Sequence, residues 1–261
     1  MSSSSSRPFI LISNDDGYKA PGINFLIDVL RPIADLVIVA PKGTRSGFGC
    51  AITVTQPIHC KLVRQEEGLD LYACTGSPVD CVKLFFNVLK RNYNRLPDLV
   101  VSGVNHGDNS SVNTFYSGTM GAASEGVMQG VPGIGFSYDN FSTSVDMSPC
   151  APHIINIVQQ VLRDGLPPLS TLNVNFPNTS DIQGVKLCRM ARSRWINEME
   201  ERVRPRTNAP YYWLTGEPLE LEPEAEDTDR WALAHGFVAI TPQTLDATNY
   251  ALLQQLQSQW C

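Results

Sequence analysis

No run in this chain approaches the roughly 20 consecutive apolar residues of a membrane-spanning helix, which argues against a membrane partner. The serine run after Met1 is followed by no apolar stretch of the kind a secretory signal carries, so residues 1–7 are expected to form a disordered tail. Cys50, Cys60, Cys74, Cys81, Cys150, Cys188 and Cys261 are odd in number, and no two have C-x-x-C spacing. That speaks against a zinc site or a disulfide framework. Several lie in apolar runs, where a free cysteine behaves as a small hydrophobe, and a reducing cytoplasm is the expected compartment. The opening strand is not followed by G-x-G-x-x-G, and the chain has no G-x-x-x-x-G-K-[ST], so dinucleotide and P-loop readings are poor. Ser46 lacks the G-x-S-x-G elbow of a serine hydrolase. Positive charge is in deficit: 20 Lys and Arg against 26 Asp and Glu give a net charge of −6. This disfavours an extended nucleic-acid surface and leaves room for a local basic pocket.

What is present suits one large α/β domain: 261 residues, 43% hydrophobic and 18% charged. Residues 9–13 read as a buried strand, 22–31 as a helix with Ile23, Leu26, Ile27 and Leu30 on one stripe, and 36–40 as a second strand. Residues 43–49 form a glycine-rich loop, and 52–64 and 69–74 read as strands about a Glu66-Glu67-Gly68 turn. Ser77-Pro78-Val79-Asp80 is a helix start, with Ser77 at the N-cap, and Val79, Val82, Phe86 and Leu89 give that helix its apolar face. A strand at 98–102, a polar loop at 103–117, a small-residue helix at 118–129 and a strand at 133–137 follow. Such alternation predicts a Rossmann-like, mostly parallel sheet with helices on both faces, over residues 8–181. Residues 182–261 break the pattern. An Arg-, Trp- and Tyr-rich stretch at 185–213 reads as a β-hairpin or arm, 219–229 as an acidic solvated loop, 228–235 as a short helix, 237–240 as a strand and 244–256 as a terminal helix. This part is either an oligomerisation element or a decorated edge of the same domain.

The first strand ends in Ser13-Asn14-Asp15-Asp16-Gly17, which puts two carboxylates at the tip of a buried strand, where open α/β sheets keep their ligands. Adjacent carboxylates repel unless a cation or a proton neutralises them. The pair reads as a site for a hard divalent ion, Mg²⁺ or Mn²⁺, or as an Asp-Asp-Gly surface turn. Three further loops end strands on the same rim. One offers Lys42, Arg45 and Ser46, the next Asn105, His106 and Asn109, and the third Ser117-Gly118-Thr119 at a helix start, with N–H groups and a dipole suited to an anion. Oxygen donors beside such a helix end are what phosphoryl chemistry requires. A non-catalytic nucleotide-binding module and an interaction protein working through the C-terminal arm are the rival readings.

These blocks resemble the SurE family of survival-protein nucleotidases. Besides Ser13-Asn14-Asp15-Asp16-Gly17, the match includes Ala20-Pro21-Gly22, Ala40-Pro41 with Arg45-Ser46-Gly47, and Thr75-Gly76-Ser77-Pro78-Val79-Asp80. It continues through 98–109, Tyr116-Ser117-Gly118-Thr119, Thr228-Asp229 and Ile240-Thr241-Pro242. The resemblance implies a metal-dependent phosphatase acting on nucleoside 5′- and 3′-monophosphates; some members also cleave terminal phosphate from short polyphosphate. It implies one divalent ion per subunit on Asp15, Asp16, Ser46 and Asn105. It also implies phosphate contacts from Asn14, Asn109, Ser117, Gly118 and Thr119, and a homodimer or homotetramer built through the C-terminal segment. On the chemistry of the pair itself, either Asp15 or Asp16 is a candidate base for the attacking water.

Overall fold

The apolar pentad Phe9–Ser13 forms β1, with all five residues buried. In the computed structural model, which describes residues 7–260, this strand lies inside a nine-stranded sheet. The tail expected at 1–7 lies outside the described residues except for Arg7, which pairs with Asp35 at 3.2 Å. Helix α1 (Pro21–Leu30) follows, then β2 (Asp35–Pro41), an edge hairpin of β3 (Cys60–Glu66) and β4 (Leu69–Cys74), and α2 (Pro78–Asn87). Next come β5 (Leu99–His106), α3 (Gly118–Met128), β6 (Gly133–Tyr138), α4 (Ala151–Asp164) and β7 (Ser170–Phe176). Strands β4, β2, β1, β5, β6 and β7 run parallel in that spatial order. Because β1 lies between β2 and β5, the chain order reverses beside it, which is where open sheets form a crevice.

Both faces are covered. Helices α1 and α4 bury Ile23, Leu26, Leu30, Ile154 and Val158 against one face. On the other face α2 contributes Cys81, Val82, Phe85 and Phe86, and α3 contributes Ala122. The start of α2 is a capping box: Ser77 Oγ accepts the Asp80 N–H at 3.1 Å, and the Asp80 carboxylate accepts the Ser77 N–H at 2.8 Å.

The remaining elements are β8 (Gly184–Leu187), β9 (Ser193–Ile196), β10 (Met199–Val203), β11 (Pro210–Leu214), β12 (Glu217–Glu220), α5 (Asp229–Ala234), β13 (Phe237–Thr244) and α6 (Tyr250–Trp260). Strand β13 joins the main sheet antiparallel to β7, and β8 pairs parallel to β13 at the edge. Strands β9 with β12 and β10 with β11 form two antiparallel ladders of a projecting arm. Helix α6 has no buried residue.

Several boundaries differ from expectation. Residues 52–59 are not strand: Pro57 lacks an N–H for a ladder, and Thr53 gives its N–H to Asp80 at 3.1 Å instead. Strand β5 continues past Gly103 to His106 with a shift in register against β6, so the polar loop begins later. The acidic stretch 219–229 is not wholly solvated, because Glu217–Glu220 pairs with β9 and Asp229 is fully buried. Thr244 still pairs with Ser170, which delays the terminal helix to Tyr250. Helix α4 and strand β7 occupy residues for which no element is expected above.

Candidate metal and phosphate site

The chain turns as soon as β1 ends. Asn14 closes the turn with both ends of its amide: Nδ2 donates to the Gly17 carbonyl at 3.1 Å, and Oδ1 accepts the Gly17 N–H at 3.2 Å. Gly17 has φ +103°, a conformation that a side chain would strain. The turn leaves Asp15 only 3% exposed and Asp16 half-buried. The Asp15 carbonyl accepts the Arg45 N–H at 2.6 Å, which ties this loop to the one bearing Ser46.

Helix α3 meets Asp15 end-on. Ser117 caps it by accepting the Met120 N–H at 3.0 Å, and the Thr119 hydroxyl donates to Asp15 Oδ1 at 2.7 Å. Gly118 makes the approach possible, since a Cβ there would lie 2.8 Å from the Asp15 Cβ and 3.1 Å from its Oδ2. From the other side of β1, the His106 N–H donates to Asp16 Oδ2 at 3.4 Å. Asn105 donates from Nδ2 to the Gly107 carbonyl at 2.7 Å, which commits the amino end of its amide.

Burial pushes the Asp15 carboxyl up to about 6, against the Thr119 hydrogen bond and with the help of the Asp16 charge. Burial also raises Asp16, against the His106 N–H. Among the described residues neither carboxylate has a Lys, Arg or His partner within 4.0 Å. Two desolvated, unpaired carboxylates create a demand for positive charge. No three His, Cys, Asp or Glu side chains cluster as a metal site among the described residues. The fit is therefore to a hard cation that takes two carboxylates and completes its sphere with neutral oxygens, as Mg²⁺ and Mn²⁺ do.

Asp15, Ser46, Asn105, Asn109 and Ser117 line one cavity of about 570 Å³. Asn14 is spent inside its turn, Thr119 donates to Asp15, and neither Asp16 nor Gly118 is among the residues that line the cavity. Asn109 is fixed by a buried polar network: its Nδ2 donates to Ser137 Oγ at 2.7 Å, and its N–H donates to Asn175 Oδ1 at 2.7 Å. Asn173 Nδ2 closes the network on the Asn109 carbonyl at 2.7 Å. His106 is not a solvated loop residue; it ends β5, its ring nitrogens are buried, and burial lowers its pKa.

The apolar part of the cavity lining was not foreseen. Tyr116, Phe141, Trp195 and Leu214 supply it. The Trp195 indole is locked by donating to Asn113 Oδ1 at 2.9 Å. The signal in the sequence was weak: an aromatic-rich arm, with nothing to say which ring turns inward. A second cavity of about 630 Å³, between Asp139 and Trp231, contains no residue of the Asp15 loop.

The model of the family described as Survival protein SurE matches residues 10–197. The chain belongs to the SurE family. A protein named 5′-nucleotidase SurE from Bacteroides fragilis is 50% identical over 252 residues, with 97% of each chain covered. The protein of that name from Flavobacterium psychrophilum is 44% identical over 257 residues, 97% of this chain and 98% of that one. The crystal structure of the SurE protein from Aquifex aeolicus superposes with a TM-score of 0.79 at 35% identity, covering 97% of this chain and 99% of that chain. The SurE match ends at Ile196–Asn197, inside the arm, while the full-length relatives extend it through β13.

Proposed function

We propose that this chain is a divalent-metal-dependent phosphatase that hydrolyses nucleoside 5′- and 3′-monophosphates to nucleoside and phosphate. The relatives named 5′-nucleotidase support the nucleotidase reading. The observation that carries the substrate class is the cavity itself, which brings Asp15 and the Ser117 cap of α3 together with the rings of Tyr116, Phe141 and Trp195. A phosphate group alone would fill one corner. The volume falls within the roughly 300–1,000 Å³ of small-molecule pockets, and the rings offer faces for a nucleobase.

Asp15, Asp16, Ser46 and Asn105 would hold one ion, Mg²⁺ or Mn²⁺. When bound, such an ion neutralises phosphate charge and acidifies water. The chain supplies the rest. The N-terminal amides of α3 at Gly118 and Thr119 face charge developing on the phosphoryl oxygens, Ser117 and Asn109 orient the phosphate, and one carboxylate of the pair receives the proton of the attacking water. Short polyphosphate uses the same carboxylates and helix end and leaves the rings unused.

The same reading extends to assembly and compartment. Met199, Val203, Tyr212, Trp213 and Leu214 are exposed on the arm, and Tyr250, Leu252, Leu253 and Trp260 on α6. Apolar surface of this kind suits a homodimer or homotetramer, which light scattering would measure. No helix among the described residues is long and apolar enough to cross a membrane, and a cytoplasmic location agrees with the free thiols.

The test is phosphate release from a panel of 5′- and 3′-nucleotides and tripolyphosphate, with EDTA and after metal add-back. Chelator-sensitive release restored by Mg²⁺ or Mn²⁺ is expected. Chelator-resistant release would overturn the metal role, and nucleotide-dependent stabilisation without release would mark a binding module instead.

A further inference from the structure

The edge hairpin places Cys60, the first residue of β3, directly opposite Cys74, the last residue of β4. The backbone hydrogen bonds define the kind of pair. Thr75 donates its N–H to the His59 carbonyl at 2.9 Å, so the adjacent rung is the hydrogen-bonded one. The Cys74 carbonyl turns the other way and accepts the Lys42 N–H at 2.6 Å. Cys60 and Cys74 therefore occupy a non-hydrogen-bonded rung, where antiparallel Cα atoms approach to about 4.5 Å and side chains on one face are nearest. Disulfides accept Cα separations of about 4.4–6.8 Å.

A third thiol lies beneath. Cys74 and Cys81 of α2 are buried in one apolar cluster, with Cys60 packed against it. Access is graded, since Cys60 is half-buried at the sheet edge while Cys74 and Cys81 are 0% exposed. The Cys74 sulfur collects donors: the Gly76 N–H reaches it at 3.4 Å, and hydrogen bonds from the Cys60 and Cys81 thiols hold its pKa below the ordinary thiol range. The Cys60 thiol, which donates, is raised in turn.

We propose that Cys60 and Cys74 form an oxidisable dithiol, closed to a disulfide by hydroperoxides and reopened by small thiols. Cys60 passes its proton along its hydrogen bond to Cys74. The Cys60 thiolate attacks the distal peroxide oxygen, the O–O bond breaks, and the departing alkoxide takes a proton from solvent and leaves as an alcohol, or as water from hydrogen peroxide. The Cys74 thiol then attacks the Cys60 sulfenic acid; the S–S bond forms and the thiol proton leaves with the hydroxide as water. Two small thiols reverse the reaction and leave as their own disulfide. Cys81 is not part of the pair because it lies across the buried side, away from the entry point. The bond pins the end of the segment 42–59, which carries Ser46, beside the Thr75 carbonyl that accepts Arg45 Nη2 at 2.9 Å.

The experiment treats the folded full chain with hydrogen peroxide, blocks free thiols, digests without reduction and maps the peptides by mass spectrometry. A Cys60–Cys74 cross-link that disappears with dithiothreitol is expected. The thermal midpoint of the oxidised protein should rise by about 5 °C or more, and Cys60→Ser should abolish both the link and the rise. A Cys74–Cys81 link, oxidation confined to the exposed Cys50, or a Cys60 sulfinic acid beside an alkylatable Cys74 would each overturn the proposal. The wild-type peptide map decides the matter even where the variant folds poorly.

Discussion

Ser111 and Asp229, 118 positions apart in the chain, meet in a buried hydrogen bond: the Ser111 N–H donates to the Asp229 carboxylate at 2.8 Å. The same carboxylate accepts the N–H groups of Ala191 and Arg230, each at 2.9 Å. Ser111 opens the short turn that carries Asn113 and Tyr116 into the cavity wall. The C-terminal segment therefore shapes the cavity, to which it also contributes Trp195, Glu198, Leu214 and Thr215, while Asp15 comes from the turn that follows β1. Asp229→Ala strands two buried N–H groups and a part-buried one, each costing about 1–3 kcal/mol when unmet, partly relieved by water. Urea unfolding should register a loss of about 3–4 kcal/mol, and the KM for nucleotide should rise. Asp229→Asn keeps an acceptor oxygen and should lose less.

Asp16→Asn separates the metal reading from the surface-turn reading. The substitution keeps the size of the side chain and its hydrogen-bond acceptor for the His106 N–H, and removes one unpaired charge. Phosphate release in Mg²⁺ or Mn²⁺ should fall by at least about 100-fold, because a divalent ion held by one carboxylate and neutral oxygens is bound far more weakly. The folded state should not suffer, since the lost group is a desolvated carboxylate whose pKa is already raised. A near wild-type rate would remove Asp16 from the metal site.

Gly118→Ala tests the close approach of α3. Its new methyl would meet the Asp15 Cβ at 2.8 Å and Pro78 Cγ at 3.1 Å. Helix propensity favours the change, so a surface position would be stabilised. Here overpacking should cost about 1–3 kcal/mol and push Asp15 off the Thr119 hydroxyl. A matched fall in activity and in thermal midpoint is the expected signature, and an active, stabilised variant would show that the helix does not press on the carboxylate.

Sequence reasoning reached furthest where the chain states its structure locally. Runs of buried aliphatic residues such as Leu36-Val37-Ile38-Val39 announce parallel strands by themselves, and Ser77-Pro78 with Asp80 spells out a helix start. The rim loops were legible for the same reason, because each follows a strand of known direction. What was illegible depends on contacts between distant positions. Nothing near Asp229 says that its carboxylate is buried under Ser111 and Ala191. Nothing in Ser193–Ile196 says that Trp195, alone among the arm's rings, hydrogen-bonds to Asn113 and lines the cavity that holds Asp15. Asn173 and Asn175 read as ordinary polar residues until β7 sets them beside Asn109.

Asp139 gives a pH dependence distinct from the metal site. Burial pushes its carboxyl up to about 6, with Asp108 adding to the rise and Arg230 opposing it. In the unfolded chain it titrates near the ordinary value of about 3.9. Between these limits the folded protein holds more protons than the unfolded one, so this group's contribution to stability falls as pH rises through about 4 to 6. Above pH 6 the full penalty stands. Partial exposure screens it to about 1 kcal/mol. Asp139→Asn should therefore raise the thermal midpoint at pH 7 and converge with the wild type near pH 4. A midpoint difference that does not change with pH would contradict the assignment.

Trp195→Ala asks whether the aromatic wall holds a base. The indole is fixed before any ligand arrives, with its N–H committed to Asn113, so little ordering remains to be done on binding. Stacking of a base on such a ring is worth about 1–3 kcal/mol. KM for nucleoside monophosphates should rise about 10-fold or more. Tripolyphosphate, which has no base, should be hydrolysed at a nearly unchanged kcat/KM. The comparison is internal, because in the proposed function both substrates use the same carboxylates and the same helix end. Equal losses on both would mean that the arm only supports the fold; a loss confined to nucleotides would place the base against Trp195.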